Sequence, residues 1–283
     1  MIFEILATPL LIYRVFFKKW ADFQEKKFQI QNDRSKKNGL KVHFYPELPS
    51  KRASVRNALV YLGYEITKGW NNKSVNFAWH DETIKVFDGS NGKVINFNCT
   101  NISKSFLDKV HSKVFGYGLS VDPNSTKGRI LEKSELNGKH DAQIVNAPCN
   151  CKEGYVYQKL IDTRKGLFYE DIRPVVIGDE IPMVYLNYRL AGKRFSAKKI
   201  RACLAKTQDY LTQKEQSQIL QLCTLMGVDL AELDVLRDNK DGKIYVVDVN
   251  PTAFGPAHGL STKNKLRAIE IYGASLKKLL AGF

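Results

Sequence analysis

Three oxygen-bearing side chains, those of Asp234, Asp248 and Asn250, flank a turn-rich segment that separates two apolar runs. This pattern predicts a β-hairpin, with Asp234 on its first strand and Lys243 to Val249 as its second. Alternate residues of a strand share a face, so Asp248 and Asn250 point the same way and Val249 points into the core. Two carboxylates and an amide, without His or Cys, suit an Mg²⁺ ion that keeps water ligands and binds substrate phosphates.

A solvated, charged hairpin end is the alternative interpretation of these residues. The acid-Val-Asn sequence at 248–250 continues a Val-rich run. A polar group buried in such a strand is unfavourable unless it has a partner or an ion. The metal site is therefore the preferred interpretation.

A small polar loop, 134–142, follows Lys133 and joins two predicted strands. Its composition is typical of a flexible flap over phosphates, to which Ser134, Asn137 and Gly138 would contribute. Lys133 lies at the strand end, where its ammonium would reach a phosphate oxygen. The loop has a single glycine, so an ordinary hairpin turn explains it better when it is considered alone.

The apolar strand that begins at Tyr155 ends in Gln-Lys-Leu-Ile-Asp. Such a strand end offers backbone groups to the edge of an adenine, apolar side chains to its face, and a carboxylate to a ribose hydroxyl. The candidate nucleotide-binding residues are Gln158, Lys159, Leu160, Ile161 and Asp162.

Arg173 and Arg189 lie on neighbouring predicted strands. A guanidinium on a strand that lines a nucleotide cleft can bind phosphate through two hydrogen bonds. A surface salt bridge between Arg173 and Asp171 explains the same residues equally well when they are considered alone.

Periodic apolar residues predict the elements that must position these side chains. Strands are expected at 41–45, 64–67, 75–87, 93–98, 129–133, 143–145, 155–161, 172–177 and 183–190. Helices are expected at 52–62, 104–114, 214–226 and 263–280.

The chain of 283 residues, 43% of them hydrophobic, has room for two domains with a buried core. We predict an N-terminal amphipathic helix and linker at 1–38, a small α/β domain at 39–123, and a larger α+β domain at 124–283. No internal repeat is evident.

The charge is strongly basic, with 44 Lys and Arg against 29 Asp and Glu and a net charge of +15. An anionic partner is therefore expected, either a phosphorylated or carboxylated substrate or an acidic membrane surface. Nucleic acid ranks last among these partners because no zinc finger or RNA-binding sheet signature is present.

The five cysteines are odd in number and scattered, which is not the pattern of a disulfide framework. This distribution favours a reducing cytoplasm. Cys149 and Cys151 are interpreted as free thiols in a loop and not as a metal site.

The N-terminal apolar run, 2–13, is too short to span a bilayer, and its basic residues follow it, unlike those of a secretory signal. From Pro9 onward, Ile12, Phe16, Trp20 and Phe23 recur on one helical face. Residues 9–24 could therefore lie in a membrane interface, which would place the protein at the inner membrane face. Docking of this helix on its own protein or on a second subunit explains the pattern equally well.

Taken in order, these pieces resemble the ATP-grasp superfamily. The resemblance runs from about Gly128 to about Phe254. It rests on Lys133 with loop 134–142, Gln158 to Ile161, Asp171-Ile-Arg173, Arg189, Asp234 and Asp248-Val-Asn250. The match is specific to the superfamily and not to one member, although Asp171-Ile-Arg173, Tyr188-Arg189 and Arg194-Phe-Ser196 are similar to ribosomal-protein glutamate ligases and their relatives.

The resemblance implies an ATP molecule clamped between two α+β subdomains, preceded by a smaller α/β domain. Lys133 and Lys159 would lie near the phosphates and the adenine, and Asp162 near the ribose. A further upstream lysine usually contacts ATP, and Lys104 and Lys109 are both candidates.

The resemblance also implies the reacting and metal-binding residues. Asp234, Asp248 and Asn250 would hold Mg²⁺, while Arg173 and Arg189, with the strand lysine, would act in phosphoryl transfer. One departure bears on the reaction: Asp248-Val-Asn250 stands where most ligases of the superfamily have Glu-x-Asn, and is similar to the Asp-x-Asn of its inositol phosphate kinases.

Three functions follow from this resemblance. The preferred one is a ligase, which activates a carboxylate as an acyl phosphate that an amine then attacks. The alternative is a kinase that phosphorylates a hydroxyl of a sugar, polyol or glycan, which needs a proton acceptor. The third is an inactive nucleotide-binding module. In each active case the acceptor, a small molecule or glycan, is expected to be anionic.

Overall fold

The chain is described by a computed structural model at residues 19–20, 22–29, 38–89, 93–190 and 200–282. Helices and three β-sheets form within these ranges. The helices are α1 (Ser54–Tyr61), α2 (Lys104–Phe115), α3 (Gln213–Leu225) and α4 (Thr262–Ala281). The strands are β1 (Lys41–Pro46), β2 (Glu65–Lys68), β3 (Val75–Trp79), β4 (Val94–Ile95), β5 (Gly128–Ser134), β6 (Gln143–Ala147), β7 (Tyr155–Gln158), β8 (Arg164–Lys165), β9 (Phe168–Ile177), β10 (Glu180–Leu190), β11 (Arg201–Ala205), β12 (Leu230–Arg237) and β13 (Ile244–Asn250).

The first sheet is parallel, with strand order β2-β1-β3-β4. Parallel neighbours need a crossover connection, and α1 provides it between β1 and β2. Val42 and Phe44 of β1 are fully buried. This unit confirms the small α/β arrangement predicted for the first part of the chain.

The second sheet is antiparallel and has three strands in the order β6-β5-β7. The predicted flap, 134–142, connects β5 to β6. Strand β7 ends at Gln158, so the last residues of the predicted strand 155–161, which are 159–161, lie beyond the sheet. The extended prediction 155–161 is therefore wrong at its end.

The largest sheet has the order β11-β10-β9-β12-β13, with β8 paired to β9. Both faces of this sheet are covered by helices, because alternate side chains of β9 belong to two different apolar clusters. Val175 and Ile177 pack with α1 and α4, whereas Ile172 and Val176 pack with α2 and α3. The sheet is thus a central layer with apolar residues packed on both of its faces.

The sequence patterns predict most of these elements and miss a few. The helices at 104–114, 214–226 and 263–280 and the hairpin β12–β13 are confirmed within a residue or two. The predicted strand 75–87 is wrong beyond Trp79, because Ile84 and Val86 are 65% and 78% exposed and Ile84 forms only an isolated bridge with Asn101. Strands β8 and β11 were not predicted, since both are short and lack clear apolar alternation.

The N-terminal helical segment, 22–29, docks on the protein itself. Phe28 is fully buried in the core shared by α1 and α4, and the Lys265 ammonium, also buried, pairs with the Glu25 carboxylate. Gln24 Oε1 accepts a hydrogen bond of 2.7 Å from the Thr262 backbone N–H. The residues that dock on the same chain, Gln24, Glu25 and Phe28, are therefore not those of the predicted apolar face.

Residues 9–18 of the same predicted helix, and 30–37 of the predicted linker, lie outside the described residues. Trp20 and Phe23 are 40% and 61% exposed. Contact of 9–24 with a membrane surface stays a prediction. Among the described helices, none has the length and apolar character that a membrane span requires.

Phe28→Ala should lower the free energy of unfolding by about 3–5 kcal/mol, because it removes a fully buried aromatic ring from a packed core. Urea denaturation followed by circular dichroism measures this change. Phe23→Ala is the matched control, since its ring is largely exposed, and it should change stability by no more than about 0.5 kcal/mol. Equal losses in both variants would show that the helical segment is not anchored as described.

Candidate active site

The two aspartates of the predicted metal site face each other across the β12–β13 ladder. Asp234 pairs with Asp248, and Glu232 pairs with Asn250. The register shifts between Asp234 and Val235, which pairs with Val246, so that Val247 is an extra residue and forms a β-bulge. Because Asp234 and Asp248 are directly paired, their side chains lie on the same face of the sheet.

Positive side chains from three other elements surround this pair. Arg173 Nη2 on β9 donates to Asp234 Oδ2 at 2.8 Å and lies 2.6 Å from Asp234 Oδ1. The Lys104 ammonium at the start of α2 lies 3.6 Å from Asp248 Oδ1. Lys133 on β5 donates to the carbonyl of Val247 at 3.3 Å. The structure thus gathers five of the predicted site residues, and of the two candidate upstream lysines it brings Lys104 to the site and leaves Lys109 exposed.

Burial dominates the electrostatics of this cluster. It raises the pKa of Asp248; the Asp234 charge acts in the same direction, while Lys104 and Lys133 oppose it. Burial also lowers the pKa of Lys133 to about 8, although Asp248 partly offsets the effect. Each charge in the cluster is therefore held by its neighbours and not by water.

The donor set fits a cation that takes only part of its ligands from the protein. Among the described residues, no group of three or more His, Cys, Asp and Glu side chains could hold a metal ion. Asp248 Oδ1 is buried and accepts no hydrogen bond within the described part of the chain. Two opposed carboxylates and the half-buried Asn250 amide suit Mg²⁺, which keeps waters and shares phosphate oxygens.

Residues 158–161, which follow and end strand β7 and are called the hinge below, lie beside an apolar cluster. Ile161 is buried with Leu119 and Tyr245, and Leu236 and Val247 pack against them. The Lys159 backbone N–H donates to the Leu119 carbonyl at 2.7 Å. Gln158 is 2% exposed, and Leu160 is half-buried.

The side chain of Lys159 is engaged at the turn of the β12–β13 hairpin. The Lys159 ammonium lies 3.0 Å from Asp238 and from Asp241, and it donates to the Tyr245 hydroxyl at 2.8 Å. Burial lowers the pKa of Lys159, but these bonds outweigh it and raise the pKa above its ordinary value. These contacts direct the Lys159 ammonium to the hairpin turn and not to the acidic pair. A place for Lys159 near the phosphates or the adenine stays a prediction.

The Asp162 carboxylate caps its own turn, accepting from the Arg164 N–H at 3.1 Å. Its backbone carbonyl accepts from the Asn239 N–H at 2.8 Å. The hinge and the hairpin turn are therefore joined through the main chain. A ribose-binding role for Asp162 stays a prediction.

The flap is fastened to neighbouring elements at two points. The Asn137 N–H donates to Thr83 Oγ1 at 2.7 Å, and the Ser105 backbone N–H and hydroxyl donate to the Glu135 carboxylate. Within the flap, the Ser134 N–H donates to Asp141 at 3.1 Å. Gly138 has a φ of 74°, a conformation that glycine adopts without steric cost.

The second predicted arginine is paired on the same sheet. Arg189 forms an ion pair with Asp171. In the structure Arg189 therefore pairs with Asp171 and Arg173 pairs with Asp234. The Arg173–Asp171 salt bridge considered from the sequence is not formed between these described residues. Segment 194–196, part of the glutamate-ligase resemblance, lies outside the described residues.

Sequence reasoning missed Glu232 and Ser54. Glu232 is 2% exposed, its Oε1 accepts from Ser54 Oγ at 3.0 Å, and its Oε2 lies 3.8 Å from Arg173 Nη1. The signal was the acid two residues before Asp234 on the same strand, which places both on one face. His258 Nε2, in the loop that follows β13, lies 3.4 Å from Asp22 Oδ1 of the N-terminal helical segment.

Comparison with known proteins shows which solved structures this architecture is similar to. No family model and no curated protein matches the chain. The solved structure of the ATP-grasp ligase PsnB, complexed with a phosphomimetic variant of a minimal precursor, Mg and ADP, aligns with a TM-score of 0.57 at 14% identity, over 86% of this chain and 97% of that one. The D-alanine–D-alanine ligase from Bacillus anthracis, complexed with ATP, aligns with a TM-score of 0.53 at 14% identity, over the same shares.

The class that these alignments define is the ATP-grasp fold. The chain has this fold, as the order of its motifs predicts. Both alignments cover nearly the full length of the solved proteins. The identities are low, so the likeness establishes the architecture, and the chemistry must be argued from this chain's own residues.

The lowered pKa of Lys133 predicts a pH effect on stability. Between about pH 8 and pH 10 an unfolded lysine still holds its proton while the folded Lys133 has lost it. Raising the pH through this window therefore favours the folded state. Relative to Lys133→Met, the wild type should gain at most about 3 kcal/mol of unfolding free energy between pH 8 and pH 10.

Urea unfolding at pH 7, 8, 9 and 10 measures this difference. Lys109→Met, which alters an exposed lysine of α2, is the control and should follow the wild type. Parallel curves for the wild type and Lys133→Met would contradict the assignment of a desolvated ammonium at this position.

Proposed function

We propose that the protein is an Mg-ATP-dependent ligase that activates a carboxylate as an acyl phosphate for attack by an amine. The observation that carries this proposal is the opposed pair Asp234 and Asp248, with cations from β9, α2 and β5 gathered around it. These are the parts that phosphoryl transfer needs: oxygen ligands for a metal, and mobile positive charge for phosphates.

Asp234, Asp248 and Asn250 would hold the metal ion. When bound, Mg²⁺ neutralises phosphate charge and orients the transferred group. The PsnB structure named above contains Mg and ADP, and the Bacillus anthracis ligase contains ATP, which supports the same cofactors here.

The cations of the site have two uses in this proposal. Lys104 and Arg173 are paired with Asp248 and Asp234 in the structure. Once those carboxylates hold a metal, the ammonium and the guanidinium are available to phosphate oxygens, for which a guanidinium is well suited. Lys133, which enters from β5 beneath the flap, would complete the phosphate contacts.

The nucleotide base would lie against the apolar cluster of Ile161, Leu236 and Val247. Backbone groups of the hinge, 158–161, would bind its edge. Lys159, held by Asp238 and Asp241, would stiffen the hinge rather than contact phosphate. The flap residues Ser134, Asn137 and Gly138 would cover the phosphates.

A ligase is favoured over a kinase by the state of the carboxylates. A kinase needs a base for the acceptor hydroxyl. In the described part of the site, Asp234, Asp248 and Asp171 are paired with cations, and Glu232 lies against Ser54 and Arg173. A ligase acceptor is already an anion and needs only positioning and charge neutralisation. The comparisons lend the kinase alternative no support.

We propose a peptide carboxylate as the first acceptor to test. PsnB was solved with a minimal precursor and with a precursor peptide. The net charge of +15 suits an acidic peptide as well as the anionic small molecules or glycans expected from the sequence. The Arg189–Asp171 pair on β10 and β9 offers a second guanidinium on the same sheet.

Asp248→Asn should raise the MgCl₂ concentration that half-saturates ADP binding by at least about tenfold, because it removes a charged metal ligand. Isothermal titration calorimetry at a fixed ADP concentration measures it. Asp179→Asn, in the exposed turn between β9 and β10, is the matched control and should behave as the wild type. Wild-type behaviour of Asp248→Asn would remove the metal assignment.

The reaction class has its own test. Incubation with ATP, MgCl₂, a library of Asp- and Glu-containing peptides and hydroxylamine should yield peptide hydroxamates together with ADP and phosphate, because hydroxylamine captures an acyl phosphate. Mass spectrometry identifies the products. A phosphorylated alcohol with ADP alone, from a parallel screen of sugars and polyols, would identify a kinase. Nucleotide binding without turnover of either library would point to an inactive module.

A further inference from the structure

Glu232 is a buried carboxylate at the edge of the proposed metal site. It lies two residues before Asp234 on β12 and opposite Asn250 on β13, and it is 2% exposed. Alternate residues of a strand share a face, so Glu232 and Asp234 point toward Arg173 together. A carboxylate withdrawn from water to this degree needs compensating partners, and its partners indicate its role.

Three elements fix the Glu232 side chain. Ser54 Oγ, at the first turn of α1, donates to Oε1 at 3.0 Å, and Arg173 Nη1 on β9 lies 3.8 Å from Oε2. The loop after β13 closes over this arrangement at Gly255. A Cβ there would stand 2.2 Å from Ser54 Oγ and 2.5 Å from Glu232 Oε1, so any larger residue would displace these side chains. Glu232 therefore joins the preceding domain to the metal hairpin.

Arg173 lies between two carboxylates of the same strand. Its Nη2 is 2.6 Å from Asp234, and its Nη1 is on the side of Glu232. A guanidinium presents several N–H donors in one plane and can bind two carboxylates through different nitrogens. The Asp234 oxygens that Arg173 now engages are the ones a metal ion would need.

We propose that Glu232 is a positioning residue that retains the Arg173 guanidinium when Asp234 turns to the metal ion, and that Ser54 keeps Glu232 in place. This inference rests on the proposed function, because it requires Asp234 to be a metal ligand. With Glu232 charged, Arg173 exchanges one carboxylate for another and stays at the cleft. Recruitment of Asp234 then does not leave a buried guanidinium without a counter-charge.

Glu232→Gln tests the proposal, since Gln keeps the size of the side chain and can still accept from Ser54 Oγ. We expect the MgCl₂ concentration that half-saturates ADP binding to rise about tenfold, because Arg173 then holds Asp234 more tightly. ADP binding in EDTA should stay as in the wild type. Glu270→Gln, at an exposed ion pair with Arg267, is the control and should leave both quantities unchanged.

A double-mutant cycle separates positioning from a general structural effect. In an Arg173→Gln background, Glu232→Gln should shift the MgCl₂ requirement by less than about twofold, because the charge to be retained is gone. Ser54→Ala preserves every charge and should shift the requirement about two- to threefold in the same direction. It carries the test if Gln at position 232 prevents folding.

An unchanged MgCl₂ requirement in Glu232→Gln would overturn the proposal, as would an equal tenfold shift in the Arg173→Gln background. If Glu232→Gln does not fold, an unchanged requirement in Ser54→Ala overturns it. Failure of the proposed function has different signatures. Without an Mg-nucleotide site the wild type would bind no ADP at any MgCl₂ concentration, and without ligase activity the wild type would yield no peptide hydroxamate although it binds ADP.

Discussion

Two carboxylates that lie side by side, away from bulk water, determine where the rest of the site must place its positive charges. Asp234 and Asp248 are direct cross-strand neighbours, and repulsion between like charges grows as water is removed. Arg173 and Lys104 supply the opposing charge from β9 and from α2. The hairpin, the helix and the neighbouring strand must therefore assemble together to bring opposing charge to both aspartates.

This dependence explains how one set of residues serves both stability and chemistry. In the metal-free protein the cations neutralise the acidic pair, and in the proposed nucleotide complex the same cations face phosphates. The protein thus needs no separate supply of positive charge for catalysis. The excess of Lys and Arg over Asp and Glu, which gives the net charge of +15, is then available to bind other anions.

The sequence predicts the fold well where burial controls the pattern. Helices α2 and α4 and the β12–β13 hairpin have strong apolar periodicity, and their predicted bounds hold. Ile84 and Val86 misled the prediction because they are apolar and yet exposed. Periodicity reports hydrophobicity, and burial depends on what the rest of the chain places on top of it.

Side-chain partners were harder to predict than elements, because they depend on contacts far apart in sequence. Asp234 and Asp248 were expected to meet, since one hairpin carries both. Glu232 was missed because its partner Ser54 lies 178 residues away. The direction of Lys159 depends on Asp238, 79 residues further on, with which no local pattern connects it. Local spacing places residues on faces, and the tertiary fold chooses their partners.

The fastening of the flap has a kinetic consequence. Its main chain is tied to Thr83 on one side, and its Glu135 carboxylate to Ser105 on the other. In the proposed complex, a nucleotide that enters beneath the flap would have to wait for both ties to break. Its association rate would then level off at high concentration, at the rate at which the flap opens, instead of rising in proportion to ligand as in a diffusion-limited encounter.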